Sequence, residues 1–149
     1  MNAEQKISDL IVSACPISML GLIWHQVEPI LQRVVDRVPD DLTMFAIQKR
    51  LMSGQQMMIT VSRGADIIAV NIIEVKVLDS GKRTLYLPII GGDEFDAWSD
   101  QVMDVAKAIA KDYNCTELRG MSVRKGWMHK LKKYGWEESF TTLKLELGE

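Results

Sequence analysis

Two stretches of the chain concentrate charge strongly enough to do chemistry. The first runs from Gly91-Gly92 through Asp93, Glu94, Asp96 and Asp100, so two turn-forming glycines lead into four carboxylates. The second, "RGMSVRKGWMHKLKK", carries Arg119, Arg124, Lys125, Lys130, Lys132 and Lys133 with no acid among them. Such a basic run is either an anion site, for nucleic acid or for a phosphate-bearing cofactor, or a solvated face beside an acidic surface. The formal net charge of -2 favours the second reading. Trp127 and Trp136 bracket this stretch and read as core anchors more than as stacking platforms for bases. His25 and His129 stand alone, which leaves a zinc site without a ligand set.

The five residues Gly91 to Phe95 resemble the signature of bacterial diguanylate cyclases. In those enzymes the motif sits on a hairpin turn, a strand follows it, and its glutamate helps to hold the catalytic metals. Here Phe95, Trp98, Val102, Val105, Ala106 and Ile109 follow at helical spacing, so a helix is expected after the motif. Ile89 and Ile90 stand where that family has an arginine. A local explanation suffices. Asp93 is expected to cap the helix, with Glu94, Asp96 and Asp100 complementing its dipole, while Gly91 and Gly92 turn the chain out of a strand.

The chain of 149 residues is one domain's worth, 47% hydrophobic and 26% charged, an ordinary globular profile. No apolar run reaches the roughly 20 residues of a membrane span, and no secretory signal is evident. Cys15 and Cys115 read as free thiols in a reducing cytoplasm.

The elements that must position these residues follow from periodicity. Residues 1–14 read as a short helix stopped near Pro16, making 1–16 an N-terminal extension of a single domain over 1–149. Leu22, Ile23, Val27, Ile30, Leu31, Val34 and Val35 predict a helix over 22–38, in which Pro29 either kinks the run or opens a new first turn. Thr43 should cap a second helix, 44–52, closed by Gly54. The period then changes to two. "QQMMITVS", "IIAVNIIEVKVL" and "RTLYLPII", joined by "RGAD" and "DSGK", predict an antiparallel meander. The long helix comes next, then a strand in "CTELRGMSV", a short helix in "GWMHKLKKYG", and a last strand in "EESFTTLKLEL".

This order, over about residues 22–147, resembles the GNAT acyltransferase superfamily, although a first strand is not evident. The tail "GWMHKLKKYGWEESFTTLKLEL" is similar to the family's ending, with Gly135-Trp136 at its Gly-aromatic position. More narrowly, "GWMHKLKKYGW" is similar to short GNAT-like proteins of tailed bacteriophages and prophages. The resemblance implies an α+β fold: a mixed, mostly antiparallel sheet with helices on both faces. It implies acetyl-CoA in a notch between the strands at 84–90 and 116–123, with Ile89, Ile90, Gly91 and Gly92 as the cofactor-binding edge. Glu74 would be the family-like base and Tyr134 the nearest phenol.

The chain departs from the family where the cofactor binds. The Arg/Gln-x-x-Gly-x-Gly/Ala phosphate loop is missing, and carboxylates stand in its place. Two like charges about 4 Å apart at an effective dielectric near 20 repel by about 4 kcal/mol. The family's tyrosine position holds Leu131, and its asparagine position holds Arg124. The expectation is therefore a non-catalytic GNAT-fold protein with a degenerate cofactor loop, binding no cofactor and no metal. It would act as a binding or virion-associated protein with a protein partner, not nucleic acid or membrane, in a host cytoplasm or a virion. The alternative is an acyl-CoA-dependent N-acetyltransferase with an atypical phosphate loop. Incubation with GTP and Mg²⁺ should yield no cyclic di-GMP; its appearance in a chromatographic assay would restore the cyclase reading.

Overall fold

The computed structural model describes residues 9–121 and 125–148. The elements are β1 (Leu10–Cys15), a 3-10 turn, α1 (Leu20–Val35), α2 (Met44–Ser53), β2 (Met57–Arg63), β3 (Asp66–Val77), β4 (Arg83–Gly92), α3 (Phe95–Asp112), β5 (Glu117–Gly120) and α4 (Lys125–Leu131), which ends in a second 3-10 turn, Lys132–Tyr134. One sheet holds the strands in the order β1-β2-β3-β4-β5. The first four are antiparallel neighbours, while β5 joins β4 in parallel after the α3 crossover.

The meander forms where the alternation predicts it. Gly81, at φ 88°, closes the β3–β4 hairpin, in which Leu78 N–H donates to the Lys82 carbonyl at 2.8 Å. Both faces of the sheet are buried. Val70, Ile72 and Ile89 meet Val27, Ile30, Leu31 and Val34 of α1 and Ile47 and Leu51 of α2. Ala69, Ile73, Leu85 and Leu87 meet Phe95, Trp98, Val102 and Ala106 of α3 and Leu131 of α4. The α+β architecture with helices on both faces is thus as expected. α1 is continuous through Pro29, which lies on its exposed side. Thr43 caps α2 by accepting from Ala46 N–H at 3.1 Å, and Gly54 closes it at φ 80°.

Three expectations need correction. Residues 10–15 form a strand, not a helix, and pair with β2 from Leu10↔Arg63 to Cys15↔Met58. Tertiary pairing with the otherwise open edge of β2 outweighs the short helical pattern, and it supplies the first strand that the sequence did not reveal; residues 1–8 lie outside the described residues. Asp93 does not cap α3. The capping position is Glu94, left-handed at φ 61° and making no side-chain cap bond. Asp93 is bound to the sheet instead, through its N–H to the Ile68 carbonyl, so the helix begins one residue later than expected. The last strand is not in the sheet. After Gly135, residues 137–148 are exposed and belong to no helix or strand.

Gly91 and Gly92 are required by packing. A Cβ on Gly91 would lie 3.0 Å from Val34 Cγ2. On Gly92, at φ 125°, it would lie 2.5 Å from both the Ala69 Cα and the Ile68 carbonyl oxygen, which are backbone atoms that cannot turn aside. Gly92→Ala should therefore cost roughly 2–5 kcal/mol, combining overpacking with backbone strain, against about 0.5–2 kcal/mol for Thr43→Ala. Urea titration of both variants checks the order.

Candidate functional site

The site grows from an irregularity in β4. Ile72 pairs with Ile89 and Glu74 with Tyr86, so a two-residue step on β3 spans three residues on β4. The extra residue falls at Leu87–Pro88. Pro88 lacks an N–H for a ladder bond, which suits it to a bulge. The β4–β5 pairing ends at the same level, with Leu87↔Gly120. Beyond it β4 continues through Ile89, Ile90, Gly91 and Gly92, with no β5 partner among the described residues. Among the described residues the two strands therefore part here in a notch, whose β4 side is Ile89 to Gly92. Ile89 turns into the α1 core and Ile90 packs on the α3 side, so the edge is offered by backbone.

What closes the upper end of this edge is a two-residue turn, Asp93-Glu94, between the end of β4 and the start of α3. Its polar groups are largely committed. Asp93 N–H donates to the Ile68 carbonyl at 3.1 Å, Trp98 Nε1–H donates to the Asp93 carbonyl at 2.6 Å, and Ala97 N–H donates to the Glu94 carbonyl at 2.8 Å. The carboxylates are each engaged from a different element. Arg33 of α1 reaches Asp93 at 3.3 Å. Arg63 of β2 holds both oxygens of Glu94, at 2.9 and 3.0 Å, and lowers its pKa below the usual carboxylate value. Lys130 of α4 reaches Asp96 at 3.3 Å while lying 5.4 Å from the Phe95 ring centre. Tyr134 donates to Asp100.

The repulsion of a bound phosphate expected from four carboxylates is smaller than their number implies: three cations stand among them, and one negative charge remains in excess. These pairs are exposed, so each contributes little stability. Their effect is to occupy the mouth. Of the basic stretch, Lys130 is spent here and Arg119 pairs with Glu117 at 2.6 Å; Arg124 lies outside the described residues.

Glu74 and Tyr134 do not come together. Val75 packs into the α3-side core, so its neighbour Glu74 points to the α1–α2 side, where Gln56 Nε2 donates to it at 2.8 Å. The nearby Tyr86 phenol is raised in pKa by burial and then by the Glu74 charge. Tyr134 packs on the α3 side, its hydroxyl 2.6 Å from that of Ser99 and also bonded to Asp100. Burial first, and then Asp100, raise its pKa. It fastens the end of α4 onto α3. Leu131, at the family's tyrosine position, is 4% exposed and carries no proton to give.

Sequence reasoning missed Arg33 and Arg63, which lie 60 and 31 positions from their partners and leave no local signal. It also passed over Asn71, whose amide nitrogen and oxygen are both buried without a partner. One polar residue inside "AVNII" was the available clue. Among the described residues no group of acids, histidines and cysteines is placed to hold a metal, and no helix is long and apolar enough to cross a membrane.

No family model matches the sequence, and no curated protein matches it. Solved structures do match in shape. A ribosomal-protein-alanine N-acetyltransferase from Brucella melitensis biovar Abortus 2308 superposes with a TM-score of 0.71 at 10% identity, covering 93% of this chain and 99% of that one. A predicted acetyltransferase with acetyl-CoA from Clostridium acetobutylicum gives 0.66 at 14% identity, over 92% and 96%. An aminoglycoside acetyltransferase from an uncultured soil metagenomic sample gives 0.64 at 13% identity, over 95% and 98%. At these identities the likeness carries the fold alone: the chain has the GNAT fold.

The Tyr134 clasp has a pH signature. Because the folded pKa lies above the unfolded one, its contribution is complete below about pH 10 and is lost as pH rises through the folded value. Tyr134→Phe should destabilise by about 1 kcal/mol at neutral pH and flatten the alkaline loss of stability in thermal melts recorded from pH 7 to 11.

Proposed function

We propose that this chain is a GNAT-fold protein that works by binding a protein partner and not by acyl transfer. The observation that carries the reading is the Asp93-Glu94 turn. It is two residues long, the Asp93 N–H and both carbonyls are spent within the fold, and its two carboxylates are held by Arg33 and Arg63, while Lys130 holds Asp96 in the first turn of α3. A pyrophosphate needs free N–H groups converging at a helix start. Here it would meet carboxylates and would have to displace their cations. These residues do not fit the phosphates of acetyl-CoA. The separation of Glu74 from Tyr134 by the sheet adds support, since proton transfer needs both groups within hydrogen-bond reach of one reacting centre. The likeness of the segment around Gly135-Trp136 to phage-encoded chains supports a place in a bacteriophage particle or its host's cytoplasm.

The acyl-CoA-dependent N-acetyltransferase reading draws on one feature, the notch where β4 and β5 part at the Leu87–Pro88 bulge. Acetyl-CoA would lie there along Ile89 to Gly92.

Calorimetric titration with acetyl-CoA separates the two. We expect no binding tighter than about millimolar, a level worth only about 4 kcal/mol. Micromolar affinity would establish the enzyme reading. So would acetyl transfer to an amine acceptor that disappears in Glu74→Gln or Tyr134→Phe.

A further inference from the structure

The outward face of α2 is apolar where solvent reaches it. Ile47 and Leu51 turn into the core, at 0% and 3% exposure, yet Phe45 and Met52 stand 77% and 59% exposed. They are two helical turns apart on one stripe, roughly 10 Å along the axis. The stripe runs on past the helix end. Ile17, just after β1, is 53% exposed, and its Cδ1 lies 3.7 Å from where a Cβ on Gly54 would stand. Three large apolar groups in line form a patch, not scattered surface residues.

The charges around this stripe are segregated. Lys49 falls on it between Phe45 and Met52, and Arg50 is its neighbour. Among the described residues neither side chain forms an ion pair or a hydrogen bond. α2 itself holds no acid. Asp40 and Asp41 are exposed but precede the Thr43 cap, at the other end of the helix. Asp36, at the end of α1, is taken by Gln32 at 2.8 Å. Glu28 and Arg37, exposed on α1 and just after it, cancel in net charge. The apolar stripe is thus interrupted only by a free cation and the polar Gln48.

We propose that this face docks an amphipathic helix of a protein partner, which sets two apolar side chains, two turns apart, over Phe45 and Met52 and a carboxylate between them on Lys49. A facing helix matches the stripe because its own side chains repeat at the same spacing. Apolar contact on both sides keeps water from the Lys49 pair and strengthens it relative to an open surface pair. A second copy of this chain fits poorly. Antiparallel pairing of α2 on itself, Phe45 against Met52, sets the two Lys49 groups side by side with no acid between them. The proposal names the surface used by the partner-binding reading and rests on it. Phe45, Lys49 and Met52 take no part in the Asp93-Glu94 turn, so this surface and the acetyl-CoA site fail separately.

Helical peptides of about 18 residues, long enough to hold structure in water, can be displayed as a library and selected on the full chain. Enriched peptides should carry an apolar pair two turns apart with Asp or Glu between. Once synthesised, they should bind Phe45→Ser and Met52→Ser chains about tenfold or more weakly in fluorescence anisotropy. Circular dichroism of both variants should be unchanged, because both side chains are exposed. A Lys49→Glu chain should reverse the choice and select Lys or Arg at the middle position. Enrichment of no helical peptide, binding indifferent to Phe45 and Met52, or a central acid still selected by the Lys49→Glu chain would each overturn the proposal. So would a dimer in light scattering that Phe45→Ser breaks, because a second copy would then cover the face. Micromolar binding of acetyl-CoA would instead remove the partner-binding reading on which the proposal rests.

Discussion

The close approach of Gly92 to Ala69 fixes much of what surrounds it. With backbone atoms 2.5 Å from where a Cβ would stand, β4 lies tight against β3 to its last residue. That approach brings Asp93 N–H to the Ile68 carbonyl. It leaves one residue, Glu94, to reverse the chain, which accounts for a left-handed conformation at a non-glycine position. The direction of α3 is then set by Trp98, fully buried, whose indole returns to the Asp93 carbonyl. The glycines therefore serve the packing of a strand end, and the carboxylates after them serve a crowded turn.

Most of the architecture was legible because it rests on short-range signals. The Thr43 hydroxyl, the Gly54 stop, the Asp79-Ser80-Gly81-Lys82 turn and the apolar stripe of α3 each act within a few residues of chain. β1 was not legible as a strand, since Leu10 to Cys15 carry a pattern too short to separate the two periods until β2 offers its edge. The acidic turn was legible as a cluster but not as an ion-paired one. Arg33 and Arg63 come from an earlier helix and strand, and only the folded sheet brings them beside Asp93 and Glu94. The Leu87–Pro88 bulge lay between these cases: the proline was visible, but the part it plays depends on where β5 ends.

Proteins of similar shape include acetyltransferases, and the features particular to this chain are local. At the end of β4 it has salt bridges, and Leu131 is a core leucine. A fold constrains where a ligand could lie far more than it determines whether one binds. Ion pairs drawn from α1, β2 and α4 also make the mouth a junction, at which charges from three elements converge on the start of α3.

The uneven pairing of the sheet has a consequence for the order in which the chain folds. β1 to β4 follow one another as hairpin neighbours apart from the α1–α2 insertion, and β3 and β4 pair over most of their length. β5 joins through four parallel pairs and must wait for all of α3 to cross the sheet. Loop-closure entropy places such contacts late in folding. On that ground the meander is expected to form one cooperative unit, and β5 with α4 a second, weaker one that opens first. Amide hydrogens of Glu117–Gly120 and Lys125–Leu131 would exchange through that local opening long before the meander unfolds.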